Sequence, residues 1–142
     1  SGISKMEMTL IAQDLALSHI SRRYRMPVHR YVKIQSHTRV IEVDGLIRYQ
    51  DHDILLETFV YWVDWLSSFI IRKHIEQRIG NIRRYRDKED RDVIFRVLII
   101  GNFNKDFQLS FQKPKSRLRK KYTDVNLSIE VLSFDDIGLK TS

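Results

Sequence analysis

The carboxylates best placed to do chemistry in this chain stand inside apolar runs. Asp44 lies in Arg39–Tyr49, RVIEVDGLIRY, two residues after Glu42 and directly ahead of Gly45. Glu57 lies in Ile54–Trp62, ILLETFVYW. A carboxylate in a run of this kind is costly to bury unless it is paired, hydrogen-bonded or bound to a cation. A short polar link, Gln50-Asp51-His52-Asp53, joins the two runs, so they read as neighbouring strands with converging acids. Such acids either hold a cation or sit on a solvated face and pair with arginines; Glu42 and Asp44, on one face by the two-residue repeat, fit either outcome.

Other chemistries lack their residues. There are no cysteines, which excludes disulfides, thiolate zinc sites and cysteine nucleophiles, and suits an intracellular protein, cytoplasmic or in the nucleoid or nucleus. His19, His29, His37, His52 and His74 show no tight metal spacing and read as surface or structural residues. The five glycines form no phosphate loop, and no serine-nucleophile motif occurs.

Charge points to a polyanionic partner. The formal net charge is +7 and the pI about 9.8, which favours nucleic acid first and an anionic membrane surface second; solubility alone is the bland alternative. DNA is the expected partner ahead of RNA, with no membrane. The surplus gathers in Arg72–Arg86 and Lys113–Lys121. Arg72, Lys73, Arg83, Arg84, Lys115, Arg117, Arg119, Lys120 and Lys121 are the expected nucleic-acid contacts, unless these stretches are simply solvated helix faces. No apolar run is long enough to span a membrane, and no signal-peptide pattern opens the chain.

The elements that must position these groups follow from periodicity. Ser4 to Tyr24 reads as a helix with Met6, Leu10, Leu17, Ile20 and Tyr24 on one stripe and a Ser4/Glu7 capping box. Val28–Gln35, Arg39–Tyr49 and Ile54–Trp62 read as an antiparallel meander. Asp64 to about Tyr85 reads as a second helix, with Trp65, Phe69, Arg72, Glu76 and Ile79 in line, followed by a charged loop over Arg86–Asp92. Val93–Ile100 suits a strand covered on both faces. Phe107–Tyr122 is a weak helix broken by Pro114, Val125–Phe134 a last strand, and Asp135-Asp136-Ile137 a cap or tail. Tyr61, Trp62, Trp65 and Phe69 read as a core aromatic cluster, or as an interface if exposed. At 142 residues the whole chain, 1–142, is one domain; its Ser1-Gly2 start has the form left by tag removal, as in a piece of a longer protein. The expected fold is an α/β/α sandwich around a mixed sheet, order αβββαβαβ.

That order, with Asp44 in Val-Asp-Gly and Glu57 in Leu-Leu-Glu-Thr-Phe, resembles the restriction-endonuclease-like, or PD-(D/E)XK, nuclease superfamily. The resemblance implies that Asp44 and Glu57 are the catalytic and metal-binding acids, that Glu7 on the first helix joins them, and that Mg²⁺ or Mn²⁺ serves phosphodiester cleavage. A hard cation on carboxylates polarises the phosphate and supplies a hydroxide-like nucleophile. The family lysine belongs two residues after the strand acid, where this chain has Phe59. A phenyl ring neither moves a proton nor offsets developing charge, which implies an atypical or inactive site. Lys33, Arg48, Arg72 and Lys73 are the cations nearest to a substitute role. The competing expectation is a non-catalytic protein-interaction or oligomerisation domain of a larger defence, transposition or repair assembly, with a protein partner or a second copy.

Overall fold

The computed structural model of the chain describes residues 2–63 and 67–140. Its elements are α1 (Lys5–Tyr24), β1 (His29–Ser36), β2 (Arg39–Arg48), β3 (His52–Tyr61), α2 (Ser68–Glu89), β4 (Asp92–Gly101), α3 (Lys105–Ser110), α4 (Gln112–Lys121) and β5 (Asn126–Leu132). They build an α/β fold around one five-stranded mixed sheet in the order β1-β2-β3-β4-β5. β1, β2 and β3 pair antiparallel; β3, β4 and β5 pair parallel. β4 sits inside the parallel part, which is why its run Val97–Ile100 is apolar on both faces.

Two cores flank the sheet. One packs Ile71, Ile75, Ile79, Ile82 and Tyr85 of α2 against Leu55, Phe59, Phe95 and Val97, with Phe111 and Leu118 beside them. The other packs Ala12, Ala16, Leu17 and Ile20 of α1 against Ile47, Leu56, Leu98 and Ile100. The tail completes that second core: Phe134, Ile137 and Leu139 are buried in it. Reciprocal bonds between Ser133 and Asp136, 2.9 and 3.0 Å, turn the tail back onto the sheet.

Several expectations shift. The buried line of α1 runs through Ala12, Ala16 and Ile20, while Met6 and Leu10 are exposed; small side chains let the helix approach the sheet, and the apolar row continues onto an uncovered N-terminal half. Ser67 caps α2 by accepting from the Phe69 amide, and the helix runs on to Glu89, so most of the expected charged loop is helical. Its buried face is the isoleucine line rather than Phe69, Arg72 and Glu76; Asp64, Trp65 and Leu66 lie outside the described residues. The third helical stretch divides at Phe111, and Pro114 falls in the first turn of α4, where its missing N–H is not needed. The aromatic group divides by strand alternation: Tyr61 stacks on His74 on the α2 side, and Trp62 stacks on Phe134 on the other. Among the described residues, no helix is long and apolar enough to cross a membrane.

Candidate functional site: an acidic pair and a basic helix face

The acidic pair sits where the sheet pauses. The β1–β2 ladder registers Arg30 on Gly45 and Val32 on Val43, passing over Tyr31 and Asp44 between them. The β2–β3 ladder ends at Gly45 on Leu56, one position short of Asp44 and Glu57. Tyr31 has φ +52°, a left-handed conformation costly for a side chain of its size, and its hydroxyl donates to Asp14 at 2.8 Å. The alternation slips a phase here: Val43 packs on the α2 side, yet a Cβ at Gly45 would meet Val28, Leu17 and Leu56 of the α1 side at 2.9–3.0 Å. Glycine at position 45 is thus explained by close packing.

With the ladder interrupted, the two carboxylates take over backbone bonding. The Asp44 amide donates to Glu57 Oε1 at 3.2 Å. Asp44 Oδ2 accepts from both the amide and the hydroxyl of Thr58, each at 2.8 Å. Each acid therefore braces the opposite strand, satisfying amides that would otherwise be buried without partners. Glu57 is 1% exposed and Asp44 half-buried.

A cation does reach the pair, and it is one that sequence reading did not single out. Arg78 Nε lies 3.5 Å from Glu57 Oε2, and its guanidinium sits over the Phe59 ring at 5.6 Å. Phe59 also stacks against His74. Phe59 thus fills the expected lysine position with a ring buried in the α2-side core, and the guanidinium comes from α2 instead. Arg78 directly precedes Ile79 of the isoleucine line, and that adjacency was the available signal. Burial, reinforced by the charge of Asp44 and only partly opposed by Arg78, pushes the Glu57 carboxyl up to about 8. Arg78 is half-exposed at a long pairing distance, so its attraction is screened by solvent and burial prevails.

The other expected participants lie elsewhere. Glu7 is exposed in the first turn of α1, its amide bonded to Ser4. No group of three or more His, Asp or Glu side chains able to hold a metal occurs among the described residues, so Glu7 does not complete the acidic pair. Glu42 is exposed and pairs with Lys33 across the ladder at 3.5 Å. Arg48 faces Asp53 and Glu89, and Arg72 faces Glu76. Asp53, fully buried, is a second braced acid: it accepts from Tyr85 Oη at 2.5 Å and from Arg91 Nε at 3.0 Å, while Arg91 also bonds the Tyr49 and His52 carbonyls. This cluster locks the β2–β3 hairpin to the start of β4.

Of the cations expected to meet nucleic acid, some already serve the fold. Arg83 makes a two-pronged bond to Asp124 at 2.9 and 2.8 Å, holding that carboxyl down at about 2. Arg84 bonds Asn81 and lines a separate groove beside the β1–β2 turn. Lys121 and the Tyr122 hydroxyl bind Glu76, which ties α4 to α2. Lys73, Lys115, Arg117, Arg119 and Lys120 make no ion pair among the described residues. Partial burial and the nearby Arg119 pull Lys115 below the ordinary lysine value. Arg72, Lys73 and Lys121 line one groove between α2 and α4, and Arg117 lines its continuation.

No known protein family matches the chain, and no curated protein matches it. Among solved structures it is similar to the crystal structure of a protein of unknown function, AF1548, with a TM-score of 0.54 and 9% identity over 84% of this chain. The chain spans 56% of that protein's length. At this identity the likeness is one of fold.

Proposed function

We propose that this chain is a nucleic-acid-binding domain of restriction-endonuclease-like build in which the acidic pair braces parting strands and does not cleave phosphodiesters. The observation that carries the reading is the bonding of the pair. Glu57 Oε1 is taken by the Asp44 amide, Asp44 Oδ2 by Thr58, and Glu57 Oε2 faces Arg78. Mg²⁺ asks for near-octahedral oxygen ligands at about 2.0–2.1 Å and Mn²⁺ for a similar set. Glu57 Oε1 and Asp44 Oδ2 are spent on donors of the opposite strand, and the Arg78 guanidinium stands 3.5 Å from Glu57 Oε2, which is buried without a hydrogen bond; with few open oxygens and a competing cation, the pair fits neither ion well.

Binding is supported by Lys73 of α2 and by Lys115, Arg117, Arg119 and Lys120 of α4, which make no ion pair among the described residues, whereas Arg72 and Lys121 share Glu76. Charges of this kind attract phosphates without regard to sequence and make affinity fall steeply with salt. The test pairs two assays. Fluorescence anisotropy against single- and double-stranded DNA and RNA should show binding that weakens as salt rises. Cleavage assays with Mg²⁺ or Mn²⁺ should show no product that Asp44→Ala or Glu57→Ala removes. Metal-dependent cutting abolished by either substitution overturns the non-catalytic part, and no affinity at low salt overturns the binding part.

A second reading has one specific observation behind it. Met6 and Leu10 are exposed one turn apart at the start of α1, and Ile3, just ahead of the Ser4 cap, is exposed beside that start in sequence. That apolar start suits a protein partner or a second copy. Sedimentation velocity of the wild type and of Met6→Lys/Leu10→Lys decides whether it drives self-association.

A further inference from the structure

We infer that the groove between α2 and α4 is built for unpaired nucleic acid, with Phe69 as the surface on which a base stacks. The inference rests on the nucleic-acid reading above and names its substrate class. Phe69 stands in the first turn of α2 and is 53% exposed, although the isoleucine line of the same helix is fully packed. Its place is fixed by the Ser67 cap, whose hydroxyl accepts from the Phe69 amide at 3.1 Å. Cations of its own helix lie over the ring: the Arg72 guanidinium 5.3 Å and the Lys73 ammonium 5.6 Å from its centroid. Both sit on long side chains, so a base that takes their place on the exposed ring meets a stacking surface and leaves the two charges for the flanking phosphates.

The space beside the ring has matching size and chemistry. It measures about 410 Å³ and is lined by Phe69, Arg72, Lys73, Glu76, Gln77 and Lys121. That volume lies within the roughly 300–1,000 Å³ of sites for small ligands, enough for one nucleotide unit. Three cations face one carboxylate, and that carboxylate is already engaged. Burial works to raise Glu76, yet bonds from Lys121 and Tyr122 and the charge of Arg72 hold it below the ordinary range. Glu76 thereby fixes the basic helix α4 against the ring while contributing little free negative charge. The Gln77 amide carries both a donor and an acceptor for a base edge.

The groove continues past Phe69. A narrower cleft, sharing Arg72, Glu76 and Lys121, leads to Arg117 and Leu118 of α4. A strand laid from the ring towards α4 would keep its backbone beside Arg117 and the free cations that follow. The first turn of α2 carries no acid, so the positive end of the helix dipole also favours phosphate there. A base can reach the ring only if its face is uncovered, which a duplex interior forbids; cations alone would not discriminate single from double strands in this way.

The experiment is anisotropy with a labelled pyrimidine-rich single strand, its RNA equivalent and the matching duplex, over a salt series, using the wild type, Phe69→Leu, Phe69→Tyr and Lys73→Ala/Lys121→Ala. Leucine keeps an apolar side chain without a π face, and at an exposed position it leaves the fold intact. The wild type should prefer the single strand. Phe69→Leu should weaken single-strand binding about tenfold, the scale of one stacked base, with an unchanged salt slope and unchanged duplex affinity. Phe69→Tyr should retain the affinity, and the double lysine variant should lower the single-strand salt slope by about 1.4, at about 0.7 per lost phosphate contact. Equal affinity for single strand and duplex, or a Phe69→Leu protein that binds as the wild type does, overturns the inference while leaving the nucleic-acid reading in place. Absence of all nucleic-acid binding overturns both. A dimer of the free chain that Phe69→Leu dissociates also overturns it, by placing a second copy on the ring.

Discussion

Replacing Glu57 by glutamine tests the acidic pair most directly. In the folded chain the Glu57 carboxyl keeps its proton up to about pH 8; in the unfolded chain it releases it near 4.5. Between these values the folded state binds one more proton than the unfolded state, so stability falls as pH rises. The contribution is fully present below 4.5 and is lost once pH passes through 8. At about 1.4 kcal/mol per pH unit the window corresponds to about 5 kcal/mol, a ceiling that relaxation and water entry will lower. Glutamine keeps the shape and still accepts from the Asp44 amide, but it places an NH₂ opposite Arg78, which should cost about 1 kcal/mol at every pH. Urea unfolding at a series of pH values supplies the measurement. Glu57→Gln should be slightly less stable than the wild type in acid and more stable by a few kcal/mol above pH 8, with equal m-values. A difference between the two proteins that stays constant with pH would refute the buried, protonated carboxyl and with it the case against a metal-ready pair.

Four further outcomes follow from the same structure. Gly45→Ala should destabilise by about 1–3 kcal/mol, because its methyl would overlap Val28, Leu17 and Leu56; an unchanged thermal midpoint contradicts the close packing of α1. Tyr85→Phe removes a donor from the buried Asp53 and should cost about 1–3 kcal/mol in urea unfolding, with the loosened β2–β3 hairpin visible as faster amide exchange. Phe59→Lys should create no Mg²⁺-dependent cleavage and should lower stability, since it sets a second cation beside Arg78 and removes a core ring; the appearance of activity would show that only the lysine is missing. Arg119→Ala/Lys120→Ala should reduce the salt slope of nucleic-acid binding without altering stability, as neither residue makes an ion pair among the described residues.

Periodicity and composition were enough to find the helices and strands, because a strand covered on both faces and a hairpin with a polar link leave marks in the order of residues alone. They also singled out Asp44 and Glu57, since acids within apolar runs are rare and expensive. What the sequence could not carry was phase and partnership. An isoleucine every three or four residues identifies a helix, yet it took the sheet to decide that Ile71, Ile75, Ile79 and Ile82 face inward while Phe69 faces solvent. The slip at Tyr31 and Asp44 is invisible to a two-residue repeat, because it arises from how three strands meet and not from any one of them. Arg78 reads as one more surface cation until α2 is laid across β3. Tertiary packing alone then sets it over Phe59 and against a carboxylate that burial has stripped of water. The residue types were thus written in the chain, but whether those acids bind a cation or brace a backbone depends on distances and dielectric surroundings that only the fold creates.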